Sequence, residues 1–125
     1  MTKFFRCAIC GNIVEMIEDK HVPVFCCGEK MQELVPNTSD GANEKHVPVD
    51  SIVNDTCHVA VASVAHPMED AHSIQWIYAE TNKGGMNKYL KPHEVPAADF
   101  KLAEGERVVA VYEYCNLHGL WTVTL

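Results

Sequence analysis

The stretch "RVVAVYEYCNLHGLWTVTL", residues 107–125, decides how the rest of the chain is read. Its flanks, "RVVAVYEYC" and "LWTVTL", are rich in β-branched and aromatic residues, the composition of strands. Between them stand Cys115 and His118, three apart, with Gly119 directly after. A thiolate and an imidazole so close can bind one metal ion. They can also be a nucleophile with its base, or two unrelated core residues.

The same period-two pattern recurs upstream. In "CHVAVASV", residues 57–64, Val59 and Val61 share one face, and Ala60, Ala62 and Val64 the other. "SIQWIYAE", residues 73–80, alternates Ile74, Trp76 and Tyr78 against Gln75 and Ile77. "TNKGGMN", residues 81–87, reads as a hairpin connection. Only "EVPAADFKLAEGE", residues 94–106, has room for a helical turn, and Pro96 restricts it. Several short strands joined by turns predict an all-β chain with an antiparallel sandwich.

With 125 residues, 47% apolar and 22% charged, the chain has a globular profile. A formal charge of −7 and no basic cluster longer than a pair exclude a nucleic-acid footprint. A negative chain also repels anions at long range, so an anionic substrate needs a local positive charge. No apolar run reaches membrane-spanning length, and the first residues lack a signal-peptide core, so no membrane and a cytoplasmic location are expected. In a reducing compartment, six cysteines read more readily as metal ligands than as disulfides.

Four of the six fall in the first 27 residues: Cys7-x-x-Cys10, then adjacent Cys26 and Cys27, each pair followed by glycine. A tetrahedral four-sulfur site suits zinc or iron. The adjacent pair demands a twisted bite that an ordinary zinc ribbon does not use. "VPNTSDGANEKHVP", residues 35–48, is rich in turn residues and places a boundary near residues 36–40. Residues 1–36 then form a segment too small for a self-sufficient core, dependent on a metal or a partner subunit. Residues 37–125 form the sandwich domain.

Among seven histidines, His46 lies in "EKHVP", and His66 and His72 lie in "HPMEDAHS" between strand-like segments. Any single loop histidine is more often a surface residue than a ligand. Four imidazoles with one thiolate exceed the four ligands zinc prefers, and five donors with an open position suit a redox iron.

Taken together, Cys7-x-x-Cys10, Cys26–Cys27, "EKHVP", "HPM…H" and "CNLHG" resemble desulfoferrodoxin, the two-iron superoxide reductase family, in order and over nearly the whole chain. The resemblance implies a desulforedoxin-like domain followed by an immunoglobulin-like β-sandwich, in a homodimer. It implies one iron on Cys7, Cys10, Cys26 and Cys27, and a second on His46, His66, His72 and His118 in a plane with Cys115 on the axis. It implies that His118 binds through Nδ1 and the other three through Nε2. The activity implied is reduction of superoxide to hydrogen peroxide. Lys45 beside the open face would attract the anion, and Glu44 would supply an oxygen ligand after turnover. The four-cysteine iron would transfer electrons, and a rubredoxin-like protein would be the donor. Backbone N–H groups after Cys115 are expected to tune its sulfur. Cys57, outside every motif, reads as a small buried hydrophobe, and His21, His58 and His93 as surface residues.

Other readings are a metal-binding electron carrier with a structural four-cysteine site, a superoxide dismutase and a thiol hydrolase built on Cys115 and His118. Metal count separates the first, and oxygen evolution the second. The third needs a free thiolate and an oxyanion hole that nothing else in the sequence supplies.

Overall fold

The structure, a computed structural model, describes residues 1–38, 46–61 and 66–125. The chain divides into two compact units, Met1–Val35 and Pro36–Leu125.

In the first unit β1 (Lys3–Arg6) is central, with β2 (Ile13–Met16) and β5 (Gln32–Glu33) on either side. A separate hairpin joins β3 (Phe25–Cys26) to β4 (Glu29–Lys30). The buried hydrophobic residues here are Phe4, Cys7 and Met31, while Ile9, Ile17, Val22 and Phe25 lie exposed. Three buried side chains are little apolar area to set against the entropy of ordering about 35 residues.

The second unit holds β6 (Pro48–Val53), β7 (Thr56–Val61), β8 (Ile74–Thr81), β9 (Gly84–Tyr89), β10 (Ala97–Lys101), β11 (Val108–Cys115) and β12 (Gly119–Thr124). They form two antiparallel sheets, ordered β10-β7-β6 and β12-β11-β8-β9. Alternate residues meet in the core: Cys57, Val59, Val61 and Phe100 from the first sheet, and Ile74, Ile77, Ala79, Val111 and Cys115 from the second. Cys57 is fully buried there, as its position in a strand predicts. Ala62 and Val64 lie outside the described residues. Among the described residues, no helix is long and apolar enough to cross a membrane.

One local expectation is corrected. The segment with room for a helical turn carries β10 instead, paired with β7 in the register Phe100↔Cys57 and Asp99↔His58. Phe100 is fully buried while Asp99 and Lys101 are exposed, a period-two pattern that the alanine- and glutamate-rich composition masks. The "TNKGGMN" expectation holds: Asn82 and Lys83 alone connect β8 to β9. Gly85 sits under the Tyr78 ring, where an added Cβ would lie 1.7 Å from the hydroxyl oxygen, so β9 can pass there only without a side chain.

Glu113 breaks the apolar pattern. By alternation it shares the inner face of β11 with Val111 and Cys115, and it is fully buried. Its carboxyl oxygens have no hydrogen-bond partner among the described residues. Burial pushes its pKa up to about 9. Below the ordinary carboxylate pKa both folded and unfolded chains hold this proton. Between there and about 9 only the folded chain does, so stability falls as pH rises through that window. Glu113→Met should remove this slope and raise stability at about pH 8 by about 1–3 kcal/mol, the cost of a buried polar group without a partner. Denaturant titrations at about pH 5 and about pH 8 check both points; equal pH slopes in wild type and variant would contradict the assignment.

Candidate metal centres

Two tight turns build the four-cysteine group. Cys7 follows β1, and its chain reverses through Gly11 at φ +82°, with the Cys7 N–H donating to the Asn12 carbonyl at 2.9 Å. The loop aims backbone N–H groups at sulfur: Cys10 N to Cys7 Sγ at 3.4 Å and Asn12 N to Cys10 Sγ at 3.4 Å. The second pair solves the problem of adjacent cysteines with a two-residue hairpin. Cys26 ends β3, and Cys27 (φ +55°) and Gly28 (φ +75°) form the turn into β4. Two successive positive φ values are the type I′ pattern, which suits the twist of a hairpin. The strain of the bite therefore falls on Cys27, a residue that is neither glycine nor asparagine.

The four sulfurs lie within 4.8 Å of one another. Cys10 Sγ and Cys26 Sγ are 3.6 Å apart, close to the roughly 3.8 Å separating two ligands of a tetrahedron with bonds of about 2.3 Å. The group is polarised. The backbone N–H of Cys10, chiefly, pulls the Cys7 thiol down to about 6. Hydrogen bonds with Cys10 and Cys7 push the Cys27 thiol up to about 12. Four thiols in such a space cannot all ionise unless a cation sits among them.

The five-donor group lies in the second unit. Cys115 ends β11 beside a register shift in the β11–β8 pairing, where Tyr114 faces Trp76 and Cys115 faces Ile74, so that Gln75 of β8 is the extra residue. Asn116, Leu117 and His118 form a three-residue turn, closed by Gly119 at φ +78°. The left-handed backbone at this position explains the glycine after the histidine. His66 and His72 come from the loop before β8. Glu69 and His72 exchange backbone bonds of 2.9 and 3.1 Å, the His93 N–H donates to the Met68 carbonyl at 2.6 Å, and the Ile74 N–H to Met68 Sδ at 3.3 Å. His46 stands just before β6.

Donor atoms of His46, His66, His72, His118 and Cys115 lie within 4.8 Å of one another. The four imidazoles close a square. Ring centroids are 4.7 Å apart for His46–His66, 4.7 Å for His66–His72, 5.0 Å for His72–His118 and 4.6 Å for His118–His46. Each ring is turned 68–83° to its neighbours. His46 Nε2 lies 3.0 Å from His118 Nδ1 and 3.1 Å from His66 Nε2. Nitrogens bound at about 2.1 Å and at right angles to one another would be about 3.0 Å apart, so the square fits one transition-metal ion. Cys115 Sγ is 3.8 Å from His118 Nδ1 and fully buried.

Surroundings prepare these donors. His66 Nδ1 lies 2.6 Å from the Pro67 carbonyl, which places the ring proton on Nδ1 and leaves the Nε2 lone pair facing inward. Burial, chiefly, pushes the His66 pKa down to about 4, so the ring stays neutral. Burial raises the Cys115 thiol, and the backbone N–H groups of Leu117 and His118 oppose it, as the sequence leads one to expect. His46 and His66 are buried, whereas the rings of His72 and His118 are half-exposed, with His72 Nε2 itself buried.

Glu44 and Lys45 lie outside the described residues. His21, His58 and His93 are exposed and stand beside Asp19, Asp99 and Asp70 at 3.7, 2.5 and 3.4 Å, remote in role from either group. Sequence reasoning missed Asn116. Its amide donates to the Ala71 carbonyl at 3.0 Å and accepts from the Ser73 N–H at 3.0 Å, bracketing His72. The only signal was an asparagine in a turn between two donors, a residue whose amide offers both donor and acceptor.

Known proteins match in the same order. A family model described as desulfoferrodoxin, N-terminal domain, matches residues 1–34, and one described as desulfoferrodoxin matches residues 38–124. A desulfoferrodoxin of Syntrophotalea carbinolica is 48% identical over 118 residues, 94% of this chain and 92% of that protein. The crystal structure of a superoxide reductase from Treponema pallidum superposes with a TM-score of 0.84 at 34% identity, covering 99% of both chains. A one-iron superoxide reductase from Giardia intestinalis superposes at 0.54 and 28% identity, covering 97% of its own length and 66% of this chain. Both units therefore match one family in the right order: this protein belongs to the desulfoferrodoxins, and its two donor groups are consistent with two iron sites.

Proposed function

We propose that this chain is a superoxide reductase, adding one electron and two protons to superoxide to give hydrogen peroxide. The observation that carries the proposal is the closed square of four imidazoles beside a buried thiol. Solved neighbours named as superoxide reductases support it. Iron held there would alternate between ferrous and ferric states and offer one open position to the substrate.

The chain's residues divide the remaining work. His46, His66, His72, His118 and Cys115 would hold the iron, the sulfur of Cys115 supplying negative charge to it, and the N–H groups of Leu117 and His118 would moderate that charge. The half-exposed His72 and His118 leave a shallow site that water can reach, and water supplies the protons. Lys45 draws the anion toward a chain of formal charge −7. Glu44 would offer a hard carboxylate oxygen to the oxidised iron. The Cys7, Cys10, Cys26 and Cys27 unit, residues 1–36, is an electron-transfer centre, and residues 37–125 carry the chemistry. That the one-iron neighbour matches over only part of this chain supports this division. In this reading a rubredoxin-like protein returns the electron, the chain acts as a homodimer and it works in the cytoplasm.

Metal analysis with visible spectra of oxidised and reduced protein, followed by pulse-generated superoxide, tests the reading. Two irons per chain and rapid peroxide formation without oxygen evolution are expected. One zinc and no second metal would leave only an electron carrier or a structural metal protein.

Three substitutions test these roles. Cys26→Ser should lose or weaken the four-sulfur metal and destabilise the first unit, while the sandwich keeps its iron and most of its superoxide reduction. Loss of catalysis with the second iron still bound would overturn the division of labour. Lys45→Ala should lower the second-order rate with superoxide by roughly tenfold, the low end of electrostatic steering, and change its ionic-strength dependence without changing iron content. Glu44→Ala should leave that rate nearly intact and instead alter the spectrum of the oxidised site. Equal slowing by both variants would show that the two roles are wrongly assigned.

A further inference from the structure

Trp121 belongs to none of the sequence motifs that hold donors, yet it touches two of the donor residues. It lies on β12 directly opposite Glu113, so its side chain shares that residue's inward face. It is 1% exposed, and among the fully buried side chains it is the largest. Its ring stacks on His46, with centroids 5.1 Å apart and planes 26° from parallel. Its indole N–H donates to the His118 backbone carbonyl at 3.1 Å. His46 and His118 are themselves neighbours in the square.

These two contacts act on different freedoms. An imidazole ligand must present its nitrogen within about 10–20° of the productive direction. His46 meets His66 and His118 edge-on, at 83° and 79°, which limits sideways movement but leaves its faces unsupported by those rings. The indole lies against one face and limits tilt. The His118 carbonyl sits inside the three-residue turn, immediately before Gly119, whose positive φ gives the chain freedom to pivot. A hydrogen bond to that carbonyl fixes the turn and with it the direction of Nδ1.

Resting on the metal reading above, we infer that Trp121 is a positioning residue for the second metal: its face sets the plane of His46 and its N–H fixes the turn that presents His118. A large aromatic in a sandwich core would otherwise be only packing, and the two roles predict different results.

The experiment uses the iron-loaded full-length protein and four chains: wild type, Trp121→Phe, Trp121→Leu and, as a packing control remote from the donors in sequence, Phe100→Leu. The readouts are iron release from the second site to excess chelator, with the four-sulfur band as internal reference, and the electron paramagnetic resonance of the oxidised second site. Trp121→Leu, which loses both contacts, should release iron at least about tenfold faster, as losing support behind a metal ligand commonly does. Trp121→Phe keeps a flat ring against His46 but has no N–H, so release should stay within about threefold of wild type while the resonance shifts. Phe100→Leu should lower the melting temperature and leave both readouts at wild type. The inference is overturned if Trp121→Leu releases iron no faster than Trp121→Phe, or if Phe100→Leu matches Trp121→Leu. Should Trp121→Leu not fold, a Trp121→Phe resonance identical to wild type overturns it, and a shifted one supports it. A wild-type chain that holds no second metal sinks the metal reading itself and this inference with it.

Discussion

Five donor atoms within 4.8 Å of one another, three of their residues buried, form an arrangement that apolar packing alone does not favour. Each imidazole brings a nitrogen toward the same space, and Cys115 adds a thiol whose ionisation burial opposes. A cation at the centre turns these conflicts into attraction, because lone pairs and thiolate charge then have a common partner. The rest of the sandwich can be understood as the framework that holds the donors ready. β11 brings Cys115 to the edge of the core, the turn to β12 delivers His118, and the loop before β8 brings His66 and His72.

The first unit meets the same constraint with less material. Only Phe4, Cys7 and Met31 form its buried apolar set, and Cys7 is itself one of the four sulfur donors. A metal there would tie the β1–β2 hairpin to the β3–β4 hairpin, which share no strand pairing. The two units thus depend on metal to different degrees. The sandwich has a contiguous core to which Cys115 is the one donor that contributes among the described residues, whereas the small unit has almost none.

How much of this was legible in the sequence differs residue by residue. Alternation and β-branched or aromatic composition disclosed β7, β8, β11 and β12 as strands, but the face of β8 was misread: the core takes Ile77 and Ala79 with Ile74, not Trp76 and Tyr78, because the register skips Gln75 and both faces of β8 are largely apolar. Alternation failed at β10, where Pro96 and a run of alanine and glutamate hide a strand that only pairing with β7 reveals. The cysteine and histidine spacings showed donors of the right type. That those donors meet is a tertiary fact, supplied by register, a bulge beside Cys115 and two tight turns. The Cys26–Cys27 pair looked strained in sequence, and Gly28 was the available hint that a positive-φ turn absorbs the strain. Asn116 and Trp121 were silent, since an amide clasp and a ring stacked on an imidazole depend on partners 45 and 75 positions away.

The turn from Cys115 to Gly119 shows why both donors share one hairpin. The thiol needs burial, since a low-dielectric setting excludes competing water and strengthens its bond to a cation. Under the proposed function, the imidazole three residues later stands where water reaches its ring. A strand end followed by a three-residue turn meets both demands: Cys115 is fully buried, and His118 is half-exposed within 3.8 Å of its sulfur. Gly119 makes the reversal possible at φ +78° without the strain an L side chain would add. A longer turn would free His118 to swing away from the square, and a two-residue turn would leave no position for it between the strands. The spacing of Cys115 and His118 therefore lets one hairpin set a buried thiol beside a half-exposed imidazole, 3.8 Å apart.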